Sequence, residues 1–170
     1  MIELSAHGHE HLFVDRFSIC FIVTSDSVLR GLKTDEIRPI AENLGSLCPK
    51  ALLNGYVVIG NSIGDIRKVV LDNANRCDVI VVSGGTGISR KDVSVEAVEP
   101  VADKALPGFG ELFRAMSYRD VGARAYLSRA SAYVVNSSLV FIVPGNPSAV
   151  KLALEIICEM ALHALYEVRR

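Results

Sequence analysis

The residues best suited to chemistry are Ser83-Gly84-Gly85-Thr86-Gly87, followed after Ile88-Ser89 by Arg90, Lys91 and Asp92. Glycine reaches positive φ, so successive N–H groups can converge into an anion-binding concavity, and without a Cβ it lets a ligand oxygen approach the main chain. Arg90 and Lys91 add positive charge, and Asp92 is suited to the magnesium ion that a nucleotide brings with it. The implied ligand is a phosphate. Spacing alone leaves a second reading open, because a Gly-rich segment after a strand also serves simply as a turn. Neither common nucleotide fingerprint is present: there is no G-x-x-x-x-G-K-[ST], and Gly84, Gly85 and Gly87 do not make G-x-G-x-x-G.

Two further clusters are placed to share that ligand. Thr24-Ser25-Asp26-Ser27 follows an apolar run, and in open α/β sheets ligands sit outside the carboxyl ends of strands; ordinary turn bonding is the alternative. Pro144-Gly145-Asn146-Pro147-Ser148 joins a strand to a helix, with Asn146 as N-cap and Pro147 at the first helical position, and a helix N-terminus is a natural anion site. His7, His9 and His11 alternate along the N-terminus, a pattern open to metal binding. Lacking a Cys or carboxylate in ligand spacing, residues 1–15 are read instead as a mobile extension, and residues 16–170 as one domain.

Positioning these clusters requires alternating strands and helices. Phe17 to Val23 and Val79 to Val82 read as buried strands and Tyr56 to Ile59 as a short strand. Ile37, Ile40, Ala41 and Leu44 set a helical period over Thr34 to Leu47, with Asp35 and Glu36 in its first turn and Gly45 at its end. Ile66, Val69, Val70 and Ala74 set another, opened by Ser62 with Asp65 three residues on. Ser94 is the expected cap of the next helix, which Pro100 shortens, and Leu106 to Gly110 reads as a loop before a helix from Glu111 to Val121. Glu111 and Arg114 share a face as an ion pair or as pocket residues. Ala132 to Val135 and Leu139 to Val143 read as an antiparallel hairpin at the sheet edge. Val150, Ala153, Leu154, Ile157 and Ala161 form the inner stripe of the last helix. The order predicts an α/β fold: three-layer α/β/α, a mostly parallel central sheet and an antiparallel edge hairpin.

At 170 residues the chain can bury a full core, and a net charge of −1 gives no electrostatic case for nucleic acid or an anionic membrane. Cys20, Cys48, Cys77 and Cys158 are far apart and form no C-x-x-C pair, so they read as buried thiols of a cytoplasmic protein. No apolar run approaches membrane-spanning length and no signal peptide is visible.

Ser83-Gly84-Gly85-Thr86-Gly87 with Asp92, Pro107-Gly108-Phe109-Gly110-Glu111 with Phe113-Arg114, Leu127-Ser128-Arg129-Ala130 and Pro144-Gly145-Asn146-Pro147 together resemble, in order and spacing, the MoaB/MogA family of molybdenum-cofactor biosynthesis. The resemblance implies a three-layer α/β/α fold, a homotrimer or hexamer, and transfer of an adenylyl group from Mg-ATP to molybdopterin with release of pyrophosphate. It also implies other cofactor-biosynthesis proteins as partners. Carried onto this chain, it assigns the phosphates of ATP to Ser83, Gly84, Gly85, Thr86 and Gly87, and magnesium and catalysis to Asp92. It assigns molybdopterin to Thr24, Ser25, Asp26, Gly145, Asn146, Pro147 and Ser148, with Glu111 near the pocket. The family's catalytic Asp after the second strand matches Asn61 here, which leaves a non-catalytic molybdopterin carrier as one alternative; Asp65, one turn on, is the nearest other carboxylate. After the acidic pair of the first helix the family often has small residues, where this chain has Ile37-Arg38. The related CinA-like domain, associated with nucleotide pyrophosphate hydrolysis, also carries a Gly-Gly-x-Gly loop and is the other alternative.

Overall fold

β1 (Phe17–Thr24) is buried at seven of its eight positions because it has strands on both sides and helices on both faces. In the computed structural model, which describes residues 15–170, it pairs in parallel with β2 (Ala51–Ile59) on one side and β3 (Val79–Ser83) on the other. The His7, His9 and His11 segment lies outside the described residues. β6 (Ser138–Val143) runs parallel to β3; β5 (Ser131–Val135) runs antiparallel to β6; and the two-residue β4 (Lys104–Ala105) closes the far edge. The sheet order is β2-β1-β3-β6-β5-β4.

Alternating side chains of β1 feed two cores, as the period of two requires. Phe17, Ile19, Phe21 and Val23 meet α2 (Arg38–Glu42), α3 (Leu44–Leu47), α6 (Pro107–Val121) and α7 (Pro147–Arg169). Cys20 and Ile22 meet α4 (Ile63–Asn73) and α5 (Ser94–Val98) on the opposite face. The result is the expected three-layer α/β/α arrangement. The chain leaves β1 over one face and returns from β2 to β3 over the other. Adjacent strand ends therefore part, and a crevice opens where β1 and β3 terminate.

Several local expectations change. The helix expected over Thr34 to Leu47 is two short ones, because Pro39 sits in the first turn of α2 and Asp35 Oδ1 accepts from the N–H groups of Ile37 and Arg38 at 3.1 and 3.2 Å. Asp35 thus precedes the helix instead of lying in its first turn, and Gly45 falls inside α3. The segment 106–110 is not a loop: Pro107 opens α6, as its fixed φ allows at N1. The β5–β6 hairpin lies one step inside the edge, because β6 also pairs with β3 and β4 covers β5. Ser62 and Asn146 do cap their helices, accepting from Asp65 N–H at 3.4 Å and Ala149 N–H at 2.9 Å.

The four cysteines are not free thiols. The fold brings Cys20 of β1 beside Cys77 with Cα atoms 6.0 Å apart, and Cys48 beside Cys158 of α7 at 5.7 Å, and both pairs are disulfides. Sequence separations of 57 and 110 concealed pairings that only the sheet register and the docking of α7 create. Among the described residues no helix is long and apolar enough to cross a membrane.

Candidate active site at the β1/β3 crevice

Thr24 ends β1, and its Oγ1 donates to the carbonyl of Ser83 at 3.4 Å, tying the two strand ends together. Ser25 caps the short α1 (Asp26–Leu29), its Oγ accepting from Val28 N–H at 3.3 Å. This turns the Asp26 carboxylate toward the end of β2, where Oδ1 accepts from the Asn61 N–H at 3.1 Å and Oδ2 from the Asn61 side-chain amide at 3.4 Å. A Cβ on Gly60 would lie 2.9 Å from Asp26 Oδ1, so glycine there makes the approach possible.

Gly84 and Gly85 follow β3 at φ +113° and +69°, values that side-chain-bearing residues avoid. A Cβ on Gly84 would stand 2.6 Å from the carbonyl oxygen of Thr24, and one on Gly85 would collide with Ser94 Oγ. The glycines are therefore required by the protein's own packing, before any ligand is considered. Ser94 does not cap α5 as expected; Val93 holds that position. Fully buried, Ser94 donates from Oγ to the Gly84 carbonyl at 2.8 Å and from its N–H to the Gly85 carbonyl at 3.2 Å. Gly84 N–H donates to the Val143 carbonyl at 2.8 Å, which leaves the amides of Gly85 and Thr86 as the loop's candidate anion donors.

Asp92 stands at the rim. Its Oδ2 accepts from the N–H and Oγ of Ser89 at 3.0 and 2.6 Å. Burial alone would raise its pKa, but the Ser89 hydroxyl and N–H, the Gly87 N–H and the charge of Arg129 together hold the carboxyl below its ordinary value. It is a carboxylate at neutral pH.

Thr24, Ser25, Asp26, Asn61, Ser83, Gly84, Gly85, Asp92 and Gly145 thus line one cleft of about 400 Å³. Lys33, Asp35, Glu36 and Lys91 are its other charged members, and of these only Lys91 is marked in the sequence as a charge beside the Gly-rich turn. Asp35 is fixed by the Tyr56 hydroxyl, which donates to both of its oxygens at 2.7 and 2.8 Å, and Arg38 lies 4.3 Å from the Tyr56 ring centroid. Burial, then the Asp35 hydrogen bond, push the Tyr56 pKa strongly up, so the phenol stays protonated. Nothing in the spacing of residues 35 and 56 announces this pair.

Of the lining carboxylates, Glu36 pairs with Lys33 at 3.9 Å and Asp35 with Arg38 at 3.7 Å, while Asp26 and Asp92 share the lining with Lys91, so the cleft keeps a small excess of acid and a polyphosphate would enter it with a cation. Among the described residues no group of three or more His, Cys, Asp or Glu could hold a metal alone. A magnesium ion bound with a nucleotide needs fewer protein ligands, one or two carboxylates beside the substrate's phosphates. Among the described residues two buried hydroxyls have no hydrogen-bond partner, Ser83 Oγ and Ser131 Oγ, and of these Ser83 lines the cleft.

The remaining site residues stand apart from this lining. Thr86 is buried and accepts at its carbonyl from Arg129 N–H at 2.9 Å, while Gly87 packs against the Asp92 carboxylate. Asn146, Pro147 and Ser148 form the start of α7 just past Gly145. Asp65 is exposed on α4 and does not line the cleft. Glu111 is exposed and lines a second hollow of about 500 Å³, beside Arg114 and Ser128. Instead of pairing with Glu111, Arg114 donates to the carbonyls of Ser128 and Ala130 at 3.2 and 2.9 Å.

Comparison with known proteins agrees with this geometry. Residues 20–164 match the family model described as "Probable molybdopterin binding domain". The chain is 37% identical to molybdenum cofactor biosynthesis protein B of Staphylococcus epidermidis over 96% of both chains. It superposes with TM-score 0.84 and 32% identity on MoaB of Pyrococcus furiosus, a tungsten cofactor synthesizing protein, covering 91% of this chain and 98% of that one. Its likeness to the protein CinA of Thermoplasma acidophilum, at TM-score 0.64 and 16% identity over 86% and 99% of the two chains, shows the fold alone. With crevice, motif order and near full-length identity in agreement, the chain belongs to the MoaB/MogA family of molybdenum cofactor biosynthesis proteins.

Proposed function

We propose that the chain adenylylates molybdopterin with Mg-ATP in the crevice between β1 and β3. The terminal phosphate oxygen of the pterin attacks the α-phosphorus of ATP, the bond from that phosphorus to the bridging oxygen breaks, and pyrophosphate leaves. Such a transfer requires positioned phosphates and neutralised charge and no covalent nucleophile, which suits a cleft of amides, hydroxyls and carboxylates. The observation that carries the reading is the acidic cleft itself, with Asp92 and Asp26 lining it together with the Gly84-Gly85 turn and the unpartnered Ser83 hydroxyl. In this reading Asp92, joined by Asp26 in place of the pterin role that the resemblance gives it, would hold magnesium, whose charge would offset that of the phosphates. The amides of Gly85 and Thr86 and the hydroxyl of Ser83 orient the nucleotide, and Thr24, Ser25 and the turn at Gly145 receive the pterin phosphate. The trimeric assembly implied by the resemblance belongs to the same reading.

Incubation with molybdopterin and Mg-ATP should release pyrophosphate and yield adenylyl-molybdopterin; neither product above the blank, with an active family member as control, would refute it. The Asn61 bond to Asp26 favours a second reading, a molybdopterin carrier, because an amide supplies no charge to a metal. Tight pterin binding without turnover, and activity restored in Asn61→Asp, would mark an enzyme that has lost a carboxylate.

A further inference from the structure

We infer that Arg129 is a positioning residue for the segment that carries Asp92, acting from outside the cleft. It does not line the crevice. Its guanidinium spans both ends of the turn from Gly87 to Asp92: Nε donates to the Gly87 carbonyl and Nη2 to the Asp92 carbonyl, both at 2.9 Å. Its own N–H donates to the Thr86 carbonyl at 2.9 Å, so the Arg129 main chain holds the residue just before the turn. Glu96 of α5 pairs with Nη1 and accepts from Nη2 at 3.3 Å, setting the plane of the fork. A rigid planar donor is needed for this geometry, since it must reach two carbonyls and a carboxylate at once; the single ammonium of a lysine has no such fork.

Within the turn, Asp92 Oδ2 accepts from the N–H and Oγ of Ser89, Ser89 Oγ accepts from the Lys91 N–H at 3.3 Å and the Asp92 N–H donates to the Ser89 carbonyl at 3.1 Å, so the turn is closed on itself and the fork ties that closed unit to the rest of the fold. Ile88, Ser89, Arg90 and Lys91 are all exposed, and apart from Ser89 and Asp92 no side chain of the turn anchors it among the described residues. The carbonyls that Arg129 holds are 42 and 37 residues away in sequence, so the clamp joins the turn to the segment leading into β5. The ion pair with Glu96 is half exposed and adds little by itself. What matters is that the fork fixes both ends of a turn whose internal bonds direct the Asp92 side chain, and so where that side chain stands relative to the cleft.

This inference rests on Asp92 serving a metal-nucleotide, and two measurements separate its failure from the failure of that reading. Hydrogen exchange needs no ligand: in Arg129→Gln and Arg129→Lys, the amides of Ser89 to Asp92 should exchange about tenfold faster than in the wild type while those of β1 and β3 are unchanged, as expected when a charge-assisted hydrogen bond is removed at one place in the fold. Mg-ATP affinity, by titration calorimetry, should fall about tenfold in both variants, with ATP alone affected far less. Unchanged exchange in the turn overturns the clamp. Faster exchange with unchanged Mg-ATP affinity overturns its role in positioning. A wild type without Mg-ATP affinity overturns the nucleotide reading and with it this role, whatever the exchange shows.

Discussion

The two ends of the sheet each carry a carboxylate held below its ordinary pKa, and they use it in opposite ways. At the amino end, Asp78 accepts from the N–H and Oγ of Ser18 at 2.6 and 2.8 Å and pairs with Arg169 of α7 at 2.5 Å. These partners lie 60 and 91 residues away, so the carboxylate locks β1, β3 and α7 together. At the carboxyl end, Asp92 bonds to Ser89, three residues back, and lines an acidic cleft that Asp26, Asp35 and Glu36 also face. At the amino end the carboxylate is closed off by partners across the fold; at the carboxyl end Asp26 is also held across the fold, by Asn61, yet it lines the cleft with Asp92 beside a serine hydroxyl that has no partner among the described residues. Pairing within the chain marks structure, and acid gathered without enough base marks the site.

Substitution should separate the two ends. The largest effect is expected at the carboxyl end from Gly84→Ala: the residue sits at φ +113° with its new Cβ 2.6 Å from the Thr24 carbonyl, so the main chain must move. A stability loss of about 2–4 kcal/mol by urea unfolding, together with loss of nucleotide binding, is the expected outcome. Next comes Asp78→Asn, which should remove about 1–3 kcal/mol of stability and leave ligand affinity at the other end unaltered. Burial raises the Asp78 pKa, but Arg169 and the two Ser18 donors outweigh it and place the folded value below the ordinary 3.8. The stability it confers is thus fully present above about pH 4 and is lost as pH falls through the lower folded value. Urea unfolding over acidic pH should therefore show a steeper decline for the wild type than for Asp78→Asn. The smallest effect belongs to Arg169→Ala, whose half-exposed pair with Asp78 is worth about 1 kcal/mol or less and should weaken further in salt.

The contrast also shows what a linear reading can see. Periods of two and 3.6 in apolar residues mark the strands and the stripes of α4 and α7, and turn residues mark the caps at Ser62 and Asn146. Much of the cleft's membership was legible because Thr24 to Asp26, Ser83 to Gly85, Asp92 and Gly145 lie at or beyond strand ends on the same side of a parallel sheet, while Asn61 was marked by the family resemblance. What escaped was long-range: the disulfides Cys20–Cys77 and Cys48–Cys158, the Tyr56–Asp35 bond, the Arg129 fork and the turning of Arg114 from Glu111 to main-chain carbonyls. None has a sequence period, because each arises from elements that meet only after the sheet is assembled. Ser94 shows the same limit at short range, its helix-start position suggesting a cap while packing recruits it to the Gly84 carbonyl.

The most direct test of the site is calorimetric titration of ATP, with and without magnesium, into the wild type and Asp92→Asn. If the rim carboxylate serves a metal-nucleotide, magnesium tightens ATP binding to the wild type and that gain falls by about tenfold or more in Asp92→Asn. Equal affinities for the two proteins, or ATP binding indifferent to magnesium in the wild type, would contradict the assignment.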